Sequence, residues 1–90
     1  MRIDTLDDEL RSRLDLPARQ KGAVIVGVAP GSVGEGAGLA NGDVIIEVDG
    51  KAIVDAKSFL AAIEKPNSGK LVKMLVLRGG STTFVAFVKP

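Results

Sequence analysis

The sequence predicts an α+β fold: a small, curled, five- to six-stranded antiparallel sheet, a partial barrel closed by two helices. Three observations predict it. Short β-patterned runs, Gly22 to Val28 and Asp43 to Val48 among them, are bounded by Pro, Gly, Asn and Asp. Two stretches, opening at Asp7 and Asp55, carry apolar residues at helical spacing. Those helices are interspersed among hairpins, and there are no repeats, low-complexity tracts or internal linker.

Met1 to Leu6 is short and reads as extended, with Met1, Ile3 and Thr5 on one face. Leu6, Leu10 and Leu14 then recur every four residues, which makes one helix stripe. Asp7 suits the N-cap, Asp8 and Glu9 the positive first turn, and Arg11 and Arg13 the other end. Pro17 is expected to stop the helix. Gly22 to Val28 alternates, with Val24, Val26 and Val28 on one face, until Pro30-Gly31-Ser32 breaks it. Gly34 to Leu39 fits one short helical turn, weakened by its glycines. An Asn41-Gly42-Asp43 turn leads into the strand Asp43 to Val48. Asp49-Gly50 is the best hairpin signal in the chain, returning through Lys51 to Val54. Asp55 caps a second helix in which Ala56, Phe59, Leu60 and Ile63 follow the i, i+3, i+4, i+7 pattern. Pro66-Asn67-Ser68-Gly69 ends it. Leu71 to Leu77 is apolar at nearly every position, as expected of a strand covered on both faces. Gly79-Gly80 turns the chain into a last strand, Thr82 to Val88.

Ninety residues make a single domain spanning 1–90, with a modest core. The expected parts are a strand at 1–6, a first helix at 7–15, a core at 22–54, a second helix at 55–65 and a C-terminal hairpin at 70–88. Twelve basic against eleven acidic residues leave a net charge of +1, no electrostatic reason to expect nucleic acid or an anionic membrane. Three phenylalanines are too few for base-stacking platforms. No apolar run approaches the roughly 20 residues of a membrane span. The charged stretch Arg2 to Arg13 is no signal peptide, although a secreted parent is compatible with an excised piece.

The chain has neither cysteine nor histidine, so disulfides, ordinary zinc sites and Ser-His-Asp or Cys-His catalysis are excluded within it. A Ser-Lys dyad is formally open at Ser32, Ser58, Ser68 or Ser81, but each adjoins a turn or helix start, where serine serves capping. Asp4, Asp7, Asp8 and Glu9 have the chemistry to hold a hard cation; a helix N-terminus that favours negative charge explains them better. The Gly-rich segment from Gly31 to Gly38 lacks the Gly-Lys-Ser/Thr ending of a phosphate loop and the spacing of a dinucleotide fingerprint. Arg11, Arg13, Arg19 and Lys21 form a weak basic patch that a solvated helix end explains as well as a ligand does. No cofactor is expected.

The run from Gly22 to Ser32, Gly-Ala-Val-Ile-Val-Gly-Val-Ala-Pro-Gly-Ser, resembles the PDZ segment in which a strand enters a Pro-Gly-Ser turn. Ala37-Gly38-Leu39 followed by Asn41-Gly42-Asp43-Val44-Ile45 resembles the A-G-L-x-x-G-D-x-I signature of that family, and Asp49-Gly50-Lys51 continues it. Gly34-Glu35-Gly36 departs from the family's usual alanines, so this segment is expected to be looser. Ile3 to Leu10 and Leu14-Asp15-Leu16-Pro17 resemble the opening of PDZ domains in HtrA/Deg (Do-type) serine proteases, with Asp7-Asp8 in place of Thr-Pro and Asp15 in place of a glycine. Arg78-Gly79-Gly80 and Phe84-Val85-Ala86 resemble the end of the second PDZ domain in such proteases.

The resemblance implies the bacterial, permuted strand order. It also implies a noncatalytic module that recognises extended or C-terminal peptide segments by β-strand addition. The ligand strand would add to the edge formed by Met1, Arg2, Ile3, Asp4 and Thr5, facing Ala56, Leu60 and Ile63 of the second helix. Phe59 is read as core. Ala56 beside Ile3 implies a shallow apolar groove that takes small or aliphatic side chains. The family's carboxylate-binding loop precedes its first strand, and Met1 falls where the last apolar residue of that motif would be. Binding by this piece is expected to be weak, on the order of 10⁻⁴ M or worse, since a short peptide offers little area and loses conformational entropy on ordering. The implied partners are unfolded or C-terminal segments of proteins, and the protease domain and neighbouring PDZ of a parent chain in the bacterial periplasm or cell envelope. No nucleic acid and no membrane insertion are expected. The chain itself is expected not to be an enzyme; the parent would be a serine endopeptidase. The alternatives are the PDZ of another envelope protein (a C-terminal-processing protease, an intramembrane metalloprotease or a secretion component) and a structural module packed between protomers.

Overall fold

A computed structural model describes residues 2–89, so the expectations placed on Met1 lie outside the described residues. The elements are β1 (Arg2–Thr5), α1 (Asp8–Arg13), β2 (Ala23–Gly27), α2 (Val33–Gly36), β3 (Val44–Val48), β4 (Lys51–Ala52), α3 (Ala56–Glu64), β5 (Leu71–Arg78) and β6 (Ser81–Val88). All pairings are antiparallel, and the six strands form one sheet in the order β1-β2-β3-β5-β6, with β4 paired to β3. The α+β architecture therefore stands, and the short helical turn read at Gly34 to Leu39 is α2, placed one residue earlier at Val33–Gly36. None of the described helices is long and apolar enough to cross a membrane.

Local chemistry explains each helix boundary. Asp7 caps α1 by accepting the Leu10 N–H at 2.8 Å. The helix ends at Arg13, well before Pro17, which corrects the expected stop. Asp15 turns left-handed at φ 55°, the Leu16 N–H reaches the Arg11 carbonyl and the Asp15 N–H reaches that of Ser12. This is a Schellman closure, and it is complete before proline matters. The same closure ends α2. Gly38 sits at φ 88°, its N–H bonds the Glu35 carbonyl and the Leu39 N–H bonds that of Gly34. Gly38 takes the left-handed position at little steric cost, and the next residue, Leu39, is thereby turned into the core. Asp55 and Ser58 form a reciprocal capping box at the start of α3.

The sheet has two unequal faces. The inner face buries Ala23, Ile25, Ile45, Val48, Val72, Met74 and Val76 against Leu39, Ile53 and Phe59. Burying Phe59 contributes roughly 2 kcal/mol. The outer face carries a smaller cluster in which Leu6, Val24 and Val44 pack with Leu10, Leu14 and Leu16. The stripe of leucines is real, but Leu6 precedes the cap and Leu14 follows the last turn.

Two strand readings are corrected. Val28 does not share a face with Val24 and Val26: β2 ends at Gly27, and Val28 packs against the inner core. Nor is β5 covered on both faces. Its inner residues Val72, Met74 and Val76 are buried, but on the outer face only Leu77 joins the small cluster, and Leu71 is exposed. Leu77 joins that cluster beside its β3 partner, Val44.

Candidate functional site

Among the described residues β1 is one edge of the sheet and pairs only with β2. Its outer row of backbone groups faces the space beside α3. The two elements are pinned at one end: the Ala56 N–H donates to Thr5 Oγ1 at 3.0 Å. This bond satisfies one of the first-turn donors that Asp55 leaves open, since the Asp55 carboxylate takes the Ser58 N–H at 2.7 Å. At the other end β1 and α3 enclose a mainly apolar cavity of about 350 Å³.

Ile3, Leu60 and Ile63 line this cavity. Ile3 also packs on the inner core, whereas Leu60 is half exposed at the mouth. Ala56 lies opposite Thr5, at the pinned end and outside the lining, rather than beside Ile3. The helix runs so that its first turn meets the end of β1 and its last turns meet the beginning. Phe59 belongs to the core, as its pattern predicts, and its ring also forms cavity floor. Arg2 and Asp4 are exposed. The pairing register shifts between Arg2 and Ile3, and the Arg2 side chain lies over Gly27, where an added Cβ would stand 3.4 Å from it.

Sequence spacing missed the far wall. Val33 and Gly34 of α2 and Phe87 of β6 complete it, with Leu39 beneath. One signal was available: Val33 follows the capping Ser32, whose Oγ accepts the Glu35 N–H at 3.2 Å, so an apolar residue starts the helix without entering the core. Glu64 and Lys89 are the charged residues of the lining. Lys89 Nζ donates to the Glu64 and Pro66 carbonyls at 3.1 and 2.8 Å, which closes the C-terminal end of α3 and brings a cation to the cavity rim.

The other candidate chemistry is engaged elsewhere. Asp8 pairs with Arg11 at 2.6 Å and Glu9 with Arg13 at 2.8 Å, while Arg11 Nε also holds the Gln20 carbonyl. Ser32 and Ser58 cap helices. Among the described residues no three acidic groups gather closely enough to hold a metal ion.

A family pattern described as PDZ domain matches residues 6–86, which include α3 and the glycine-closed turn before Leu39. The chain belongs to the PDZ family. This PDZ domain is similar to the magnetosome formation protease MamE of Magnetospirillum gryphiswaldense, at 32% identity over 86 residues, covering 96% of this chain and 11% of that protein. It is also similar to a probable periplasmic serine endoprotease, DegP-like, of Pseudomonas fulva, at 33% identity over 85 residues, covering 94% of this chain and 17% of that protein. Among solved structures, the HtrA-type protease AlgW with a decapeptide superposes with a TM-score of 0.81 at 25% identity, covering 98% of this chain and 28% of that one. The HtrA3 PDZ domain bound to a phage-derived ligand gives a TM-score of 0.81 at 24% identity, covering 98% of this chain and 79% of that one, a likeness of fold. The PDZ domain thus resembles those of HtrA/Deg-type proteases and spans between 9% and 20% of the length of the curated relatives it matches.

Proposed function

We propose that this PDZ domain binds an extended or C-terminal peptide segment as an added antiparallel strand on β1, in the groove between β1 and α3. Ile3, Leu60 and Ile63 would hold an apolar ligand side chain, and Arg2, Asp4 and Thr5 would supply backbone to the new strand. In this reading Ala56 serves the pinned end of the groove. The observation that carries it is the juxtaposition of an unpaired strand edge with an apolar cavity of about 350 Å³. Main-chain bonds to such an edge give affinity that tolerates sequence, and the cavity gives preference. The two HtrA-type structures with a decapeptide and a phage-derived ligand support the same reading. The larger role we infer is substrate recognition or regulation of a Deg-type serine protease in the periplasm or cell envelope.

The test is an amide NMR titration with matched short peptides ending in an aliphatic residue, one a free acid and one amidated. Shifts confined to β1 and α3, lost in Leu60→Ser, are the expected result. Leu60 is half exposed, so this variant keeps its fold. Absence of shifts at millimolar peptide would refute groove binding. Equal response to both peptides would keep strand addition and remove carboxylate capture.

A further inference from the structure

The second edge of the sheet is β6, and it differs from β1 in every protective feature. β1 has four residues, carries Arg2 and Asp4, and lies beside α3. β6 has eight residues, Ser81 to Val88, with no charge and no proline, and pairs only with β5. Its outer row of N–H and C=O groups has no neighbouring strand among the described residues. Natural edges are usually blunted by charges, proline, short length or a covering element, because an open edge templates another strand. β6 has none of these. The outward face beside it carries large apolar side chains as well: Phe84 is 78% exposed, Val88 58% and Leu71 53%, with Leu71 directly across from Val88 and Leu75 across from Phe84, and one cation, Lys73, across from Ala86.

We propose that β6 is a self-association edge, whose occupant is β6 of a second copy of this chain, added antiparallel about a two-fold axis. The strand is complementary to itself. With Val85 on the axis, Phe84 stands opposite the other copy's Ala86, Phe87 opposite its Thr83, and Val88 opposite its Thr82. Each large side chain meets a small one, and with no charge in the strand no like charges oppose one another. The two sheets become one continuous sheet, and the exposed Phe84 rings approach diagonally across the axis. An isologous contact of this kind closes at two copies. One added strand pair with three exposed apolar side chains per copy falls short of the roughly 800 Å² per partner of a stable complex. The dimer is therefore weak, with a dissociation constant on the order of 10⁻⁴ M or above, and gains weight where copies are tethered in a larger assembly. It leaves β1 and α3 free but engages Phe87, which also lines the groove, so the place of the shifts, β6 rather than β1, separates it from the groove reading.

Sedimentation equilibrium and concentration-dependent amide shifts of the intact chain, from micromolar to millimolar, test it. The expected result is a reversible monomer–dimer equilibrium with shifts centred on residues 81–88, weakened at least tenfold in Ala86→Lys. Both Ala86 and Phe84 are exposed, and Phe84→Ser serves as a second variant should the lysine perturb folding. A chain that stays monomeric at millimolar concentration would overturn the proposal. So would association whose shifts map to β1, or which both variants leave unchanged.

Discussion

Arg78, the last residue of β5, closes over Asp43 with two charged hydrogen bonds, Nε to Oδ1 at 2.8 Å and Nη2 to Oδ2 at 2.5 Å. The Asp43 side chain is almost fully buried and also accepts the Ala40 N–H at 2.9 Å, while Arg78 reaches on to the Gly38 carbonyl at 2.8 Å. The hydrogen bond to Asp43, reinforced by its charge, raises the guanidinium's pKa above its ordinary value. One pair thus ties the exit of α2, the turn into β3 and the end of β5. Arg78→Met would strand a buried carboxylate on one backbone donor, so a clear fall in the urea midpoint is expected. Adding Asp43→Asn to that variant removes the stranded charge and should recover part of the loss. Additive losses would show that the pair is not coupled.

The cap of α3 carries an acid-sensitive contribution. The Asp55 carboxyl is held below its ordinary value of 3.8 by the Ser58 backbone N–H first and the Ser58 hydroxyl second. The folded pKa is lower than the unfolded one, so the stabilisation is complete above 3.8 and disappears as pH falls through the folded value. Amide protection in α3, and the Ala56–Thr5 bond that depends on its first turn, should weaken below that pH. Asp55→Ala should lower Tm at neutral pH and flatten this acid limb. An unchanged limb would assign it to another carboxylate.

Two glycine substitutions should move stability in opposite directions. A Cβ on Gly22, at φ 155°, would stand 2.7 Å from Val44 Cγ1 and 2.8 Å from the Ile45 carbonyl oxygen. Gly22→Ala must push β2 from β3 and is expected to destabilise by about 2–3 kcal/mol. A Cβ on Gly36 meets nothing within 4 Å and its φ is not left-handed. Gly36→Ala is expected to stabilise by about 0.5–1 kcal/mol through helix propensity and a less flexible unfolded chain. Denaturant titration of both variants reads the contrast.

Lys51, after the hairpin, and Lys65, at the end of α3, are brought together. The Lys65 hydrogen bond first, and its charge second, lower the Lys51 pKa from 10.5. The unfolded chain binds more protons between the folded value and 10.5, so stability should rise with pH through that window. Lys65→Glu converts repulsion to attraction. It should raise Tm slightly at low salt and abolish the alkaline rise. Both groups are exposed, so the gain should fade as salt is added.

Much of this fold is legible along the chain because the decisive interactions are local. Asp7 and Asp55 are read as caps and act as caps within three residues. Asp49-Gly50 is read as a hairpin, and both residues take the left-handed φ that such a turn needs. Ala37-Gly38-Leu39 is read as a tight exit that plugs the core, and the closure spans six residues. The candidate groove was half legible. The helical spacing of Leu60 and Ile63 puts them on one stripe, but spacing cannot say which β1 residue each faces, and Ala56 meets Thr5 rather than the Ile3 that the family resemblance implies.

What the sequence determined by itself is therefore most of the elements and their caps and turns, since periodicity and capping act over a few residues. What only the tertiary structure decided is how distant segments meet: Asp43 with Arg78, Thr5 with Ala56, Val33 and Phe87 as the far wall of the groove, and an outer sheet face that the short α1 leaves half uncovered. Those outcomes depend on strand order and on where a helix axis crosses the sheet. No local pattern encodes either, because both emerge from packing all the elements around one core.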